Sequence, residues 1–224
     1  MPAKNISTKE KVFLTADKAN ELLTAFEGHP LQALVYVTLY YGLRRSEALG
    51  LRWSAIDFDN NTLTINHTVV KNRTIVQKDA VKTQSSYHTY TLIGDVKNVL
   101  LAEREKRKQN AQKYGDNWNN SDYVFTWEDG KLFRPDYVTR GFQRVLKQHG
   151  LPMMRFHDLR HSTASIVYDL GWGIKDIQSW MRHSSIDVTG DIYTHITEDR
   201  KSKMADELNS TFTIRQRKET SNEG

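Results

Sequence analysis

Cysteine is missing from all 224 residues, which excludes disulfides, thiolate metal sites and cysteine nucleophiles at the outset. That usage suits a reducing cytosol. Long apolar runs are scarce too. The longest, around Leu31 to Leu43, is interrupted by Gln32 and Thr38 and is shorter than the about 20 residues that span a bilayer. The N-terminus has no signal-peptide pattern, and no internal repeat supports a solenoid. These absences lead us to expect a soluble cytoplasmic protein with no membrane partner. Neither sign of charge dominates: 32 Lys and Arg stand against 27 Asp and Glu, a formal charge of +5, with a pI near 9.2. So modest an excess is compatible with nucleic-acid binding without requiring it.

The length suits one large domain, and the periodicity makes it α+β, mainly helical. Residues 1–12 are polar and lysine-bearing, a linker or arm. Thr15 offers a cap for a helix through Ala19, Leu22, Leu23 and Phe26, ended by Gly28. Pro30 starts a second helix, apolar nearly all round, that Gly42 stops and that belongs in the centre of the fold. From Trp53 to Leu92 the pattern alternates, with an Asp59-Asn60-Asn61 turn, and predicts a small antiparallel sheet of about three strands. A charged helix over 94–114 follows, with Val96, Val99, Leu100 and Leu101 as its inner residues. Another helix, opened by Pro135, closes at Gly150 and Pro152. A helix starting at His157 turns Leu159, Ile166, Val167 and Leu170 toward the core, and a shorter one carries Ile174, Ile177 and Trp180. The remainder predicts an amphipathic helix over 198–208 and a basic tail.

Chemistry concentrates on Arg155-Phe156-His157-Asp158-Leu159-Arg160-His161-Ser162. On a helix, His157, Arg160 and His161 share one face. A guanidinium fork suits phosphate oxygens, and an imidazole beside it can move a proton near neutral pH. Arg44 opens a short helix, where a backbone dipole adds to its charge, and Glu47 follows three residues later. Each piece alone has a plainer reading. Arg44 with Glu47, or Arg160, makes an ordinary surface ion pair, Lys82 a solvated charge, and Tyr193 a half-buried ring. The spacing of His157 and His161 also admits a metal, but the Glu of the protease pattern is lacking and Arg160 repels a cation.

Taken in order, Gly42-Leu43-Arg44-Arg45-Ser46-Glu47, Lys82-Thr83, His157-Asp158-Leu159-Arg160-His161, Arg182-His183-Ser184-Ser185 and Ile192-Tyr193-Thr194-His195 closely resemble the catalytic domain of the tyrosine recombinases, specifically phage and conjugative-transposon integrases. The resemblance runs from Phe13 to His195. It implies that fold for residues 13–197, with 198–224 as a C-terminal helix and tail suited to protomer contacts. It also implies six catalytic positions: Arg44, Lys82, His157, Arg160, His183 and the nucleophile Tyr193. Glu47 would orient the first arginine. Two features depart from the family or stay open. The family usually has Leu-Gly where this chain has Met181-Arg182, and Lys71 and Lys78 also lie in the β-region, so Lys82 rests on its Lys-Thr-x-x-Ser context.

The implied reaction is site-specific recombination of a mobile element through a 3′-phosphotyrosyl intermediate, with no cofactor, metal or ATP. Its implied partners are double-stranded DNA carrying attachment sites, a homotetramer on that DNA, and accessory DNA-bending proteins. Family members usually carry a helical DNA-binding domain upstream. A chain without one is expected to bind DNA weakly and salt-sensitively. Two alternatives stay open: relaxation of DNA in the manner of a type IB topoisomerase, or a non-catalytic DNA-binding regulator that keeps the fold.

Overall fold

The longest apolar stretch of the chain becomes its central helix. A computed structural model describes residues 13–72, 74–79 and 88–182, side chains of 71–79 excepted. In it, helix α2 (Gln32–Tyr41) buries Ala33, Leu34, Val35, Val37, Thr38, Leu39 and Tyr41. At roughly 1.5–3 kcal/mol for each large apolar side chain removed from water, this helix anchors the core. Gly42 ends it at φ 60, ψ 36, a left-handed conformation that glycine adopts without a Cβ penalty. Preceding it, α1 (Ala16–Ala25) begins where the Thr15 hydroxyl accepts the Lys18 N–H, and buries Ala19 and Leu22. The short helix α3 (Arg45–Leu49) buries Glu47, Ala48 and Leu49.

The alternating region forms two antiparallel units. Strands β1 (Ile56–Asp57), β2 (Thr62–Ile65) and β5 (His88–Thr91) make a three-stranded sheet in the order β1-β2-β5, pairing Ile56 with Leu63 and Leu63 with Tyr90. Burial alternates along β2, as one covered face requires. Strands β3 (His67–Asn72) and β4 (Thr74–Asp79) form a separate hairpin with Val70 opposite Val76. The hairpin starts tight against α3: a Cβ on Gly50 would overlap the His67 carbonyl.

Four further helices complete the described fold. The long α4 (Gly94–Tyr114) buries only Val96 and Leu100; Leu101, expected inside, is exposed, because the helix meets the core along one narrow stripe. The strongly amphipathic α5 (Pro135–Gln148) buries Val138, Phe142, Val145 and Leu146. Helix α6 (Asp158–Asp169) packs on α2, and α7 (Ile174–Met181) closes over it with Ile177 and Met181 buried. Among the described residues, no helix is long and apolar enough to cross a membrane.

The buried face of α6 differs from the expected one. Leu159 is buried, but Ile166 and Val167 are only partly so, and Leu170 is 71% exposed. The interior face instead carries Asp158, Arg160, Ser162, Thr163 and Ala164. Polar side chains tolerate this because each finds a partner. The Thr163 hydroxyl donates to the Leu39 carbonyl at 2.6 Å, and the Ser162 hydroxyl accepts the Leu14 N–H at 3.1 Å and donates to the Asp158 carbonyl.

Candidate active site

The end of α2, the start of α3, the first turn of α6 and the end of α7 meet at one place, and four of the sequence-derived residues lie there. Arg44 occupies the N-cap position of α3 in extended conformation. Its guanidinium donates to Glu47 Oε1 at 2.9 Å, while its own backbone N–H donates to Glu47 Oε2 at 2.8 Å. The carboxylate thus closes the first helical turn and aims the guanidinium together. Glu47 is 6% exposed, whereas the Arg44 side chain keeps substantial solvent access. That leaves donors free to face a ligand.

Arg160 arrives from the opposite side. It is 2% exposed, and a buried charge requires partners. Nη1 donates to the Gly42 carbonyl at 2.6 Å and Nη2 to the Met181 carbonyl. The guanidinium therefore ties the end of α2 to the end of α7. Burial, then the charge of Arg44, pull its pKa down to about 10, against the opposing pull of Glu47. It stays protonated at neutral pH. The residues expected to share an outward chemical face separate here: Arg160 turns inward, while His157 stays at the surface.

His157 caps α6 in a turn fixed by its neighbour. The Asp158 carboxylate accepts the Arg155 backbone N–H at 2.7 Å and pairs with the Arg155 guanidinium at 2.9 Å. The His157 ring keeps solvent access but has enough protein around it to lower its pKa, an effect that Arg160 reinforces. It is therefore a neutral base at pH 7. Its ring stands perpendicular to that of His161, with centroids 5.1 Å apart.

Two residues outside the six motif positions complete the cluster: Tyr90, which the motif reading passed over, and Arg182, which it met only as a departure from Leu-Gly. The Tyr90 hydroxyl, on β5, donates to the Trp180 carbonyl at 2.9 Å, one residue before the carbonyl that holds Arg160. Burial and the charge of Glu47 push its pKa up. Arg182, just after α7, places Nη1 3.7 Å from Glu47 Oε1. The alternation of β5 marks Tyr90 as an inward residue, but nothing in the sequence shows which carbonyl it meets.

Lys82, His183 and Tyr193 lie outside the described residues. Of the two competing lysines, Lys71 stands on β3 opposite Ile75 and Lys78 on β4 opposite Thr68. A cleft of about 530 Å³ lined by Glu103, Arg107, Trp118 and Trp127 contains none of the predicted site residues. Three guanidiniums around one carboxylate attract anions, and paired guanidiniums match phosphate oxygens.

The comparisons with known proteins agree with this geometry. The model of the phage integrase family matches residues 12–200. A tyrosine recombinase XerC-like protein of Caldanaerobacter subterraneus is 28% identical over 224 residues, covering 94% of this chain and 57% of that protein. The ICEBs1 integrase of Bacillus subtilis is 26% identical, covering 80% of this chain and 50% of that protein. The chain thus spans about half the length of these curated relatives. Among solved structures, the Tn1549 transposon integrase in complex with transposon right end DNA superposes with a TM-score of 0.74 at 22% identity, over 91% of this chain and 68% of that one. At that identity the likeness establishes the fold. These recombinases and integrases do not favour the DNA-relaxing and binding-only alternatives.

Proposed function

The chain belongs to the phage integrase family, and from that premise we propose that it cuts and rejoins duplex DNA at specific sites of a mobile element. The observation that carries this reading is the pair of arginines fixed at the end of α2: Arg44 by Glu47, and Arg160 by the carbonyls of Gly42 and Met181. Such a pair binds a phosphodiester and stabilises the charge that builds on its non-bridging oxygens.

In the proposed reaction, the Tyr193 oxygen attacks phosphorus and the bond to the 5′-oxygen breaks, leaving a 3′-phosphotyrosyl ester and a free 5′-hydroxyl. A phenol with a pKa near 10 must lose its proton as it attacks. His157, neutral at pH 7, accepts it. Lys82 returns a proton to the departing oxygen, and His183 donates a further hydrogen bond to the phosphate. The ester conserves the energy of the broken bond, so a hydroxyl from a second duplex reseals the strand without ATP. Guanidiniums supply the positive charge that a metal ion provides elsewhere.

Exchange between two duplexes requires four cuts, hence four protomers on DNA, with residues 13–197 as the catalytic unit and 198–224 available for contacts between protomers. The reaction belongs in the cytoplasm, with accessory DNA-bending proteins as further partners. The test is strand exchange between two duplexes carrying the element's attachment sites, in EDTA and without nucleotide. Recombinant product supports the reading. Exchange only with added metal or ATP contradicts the proposed chemistry.

A further inference from the structure

Arg182 leaves α7 with φ 53 and ψ 48, a left-handed conformation that glycine adopts freely and a residue bearing a Cβ does not. Apart from Asn61, it is the only non-glycine residue with positive φ among those described, and asparagine tolerates that region far better than arginine. Strain of this kind persists where the surrounding structure uses it. The side chain shows what the backbone sustains. Its Nη1 lies 3.7 Å from Glu47 Oε1, the oxygen that also accepts Arg44 Nη1 at 2.9 Å. About a quarter of the Arg182 side chain remains exposed, so a ligand at Arg44 can reach it.

Resting on the cleavage reading above, we propose that Arg182 is a third arginine of the phosphate site. Glu47 holds it beside Arg44, and it donates to a non-bridging oxygen of the scissile phosphate when DNA enters. Charge balance favours this role. Arg44, Arg160 and Arg182 against Glu47 leave two net positive charges. A phosphodiester brings one negative charge, and an attacking tyrosinate adds a second in the transition state. Arg182 thus adds to the positive charge that Lys82 and the protonated His157 bring to the proposed transition state.

The experiment uses the full chain and the variants Arg182→Gly, Arg182→Asn and Arg182→Lys. Glycine removes both the strain and the charge, so the Arg182→Gly protein should melt about 2–4 °C higher while losing function. Anisotropy with a duplex of about 30 base pairs, between about 50 and 200 mM salt, should show the log–log slope falling by about one unit. Adduct formation on a nicked attachment-site duplex should slow roughly tenfold or more, with Arg182→Lys restoring part of the rate at saturating DNA. The Asn variant, tolerant of positive φ, should follow the Gly variant and guard against a folding artefact. Wild-type cleavage by both neutral variants would overturn the proposal even if the slope fell, because Arg182 would then contact only flanking DNA. A wild type that binds the duplex but forms no adduct would count against the cleavage reading itself. In that case, additive binding losses in an Arg44→Gln, Arg182→Gly double-variant cycle would overturn the shared-phosphate contact.

Discussion

Arg160 and Gly42, 118 positions apart, are joined by a 2.6 Å hydrogen bond from the Arg160 guanidinium to the Gly42 carbonyl. The placement of a buried charge therefore depends on how α2 ends. Any change in that cap is felt at the arginine cluster, although Gly42 itself contributes no side chain.

Replacing Gly42 with alanine should be costly. The new methyl sits at φ 60 and overlaps Sδ and Cε of the buried Met181. Left-handed strain and overpacking together predict a loss of about 2–4 kcal/mol, to be measured by urea denaturation. Cleavage should fall further than the folded fraction explains, since the Gly42 and Met181 carbonyls both hold Arg160.

Glu47→Gln separates catalysis from binding. The substitution removes the buried negative charge that aims Arg44 and adds one unit of net positive charge to the site. Duplex binding at low salt should tighten or hold, whereas the rate of adduct formation should drop by roughly ten- to a hundredfold. Anisotropy and single-turnover trapping measure the two separately. Parallel losses in both would contradict the role assigned to this carboxylate.

Histidine ionisation fixes the sign of the acid response. Burial lowers the pKa of His157, and Arg160 adds to it; burial also lowers His88 and His29, assisted by Arg182 and Arg144 respectively. Below the usual histidine value of about 6.5 the unfolded chain binds more protons than the folded one. Stability is therefore fully present above that value and declines as pH falls through the lowered folded pKa values. Melting temperature should be flat from pH 7 to 8 and fall progressively below pH 6.5. The acid limb of kcat/KM, which reports the free enzyme, should lie below 6.5 and disappear in His157→Gln.

Tyr90→Phe tests the strut beneath the site. Loss of the hydroxyl leaves the Trp180 carbonyl without its 2.9 Å donor and should cost about 1 kcal/mol. Because the next carbonyl holds Arg160, the variant should also cleave more slowly while binding duplex normally. Unchanged cleavage would confine Tyr90 to packing.

The helices and the sheet were legible wherever a cap or a period governed them. Thr15, Gly42 and Pro135 mark ends that the structure keeps, and alternation around Leu63 and Ile65 gave the sheet. Arg44, Glu47, His157 and Arg160 were legible as an ordered motif and do come together. The orientation of α6 was not legible. Hydrophobicity placed Leu170 inside and Arg160 outside, but Ser162, Thr163 and Arg160 occupy the interior by bonding to backbone atoms of distant segments. Such partners exist only after folding, so no period in the sequence announces them. Tyr90 escaped for the same reason. Arg182 was visible only as a departure from Leu-Gly, and its αL backbone and its proximity to Glu47 give that departure a meaning.

The most direct measurement of the central claim is covalent trapping on a nicked attachment-site duplex in EDTA, followed by mass-spectrometric mapping of the DNA-linked peptide. An SDS-stable adduct on Tyr193 is expected, formed by the wild type and absent from Tyr193→Phe. An adduct on another residue, or one that persists in Tyr193→Phe, would contradict it.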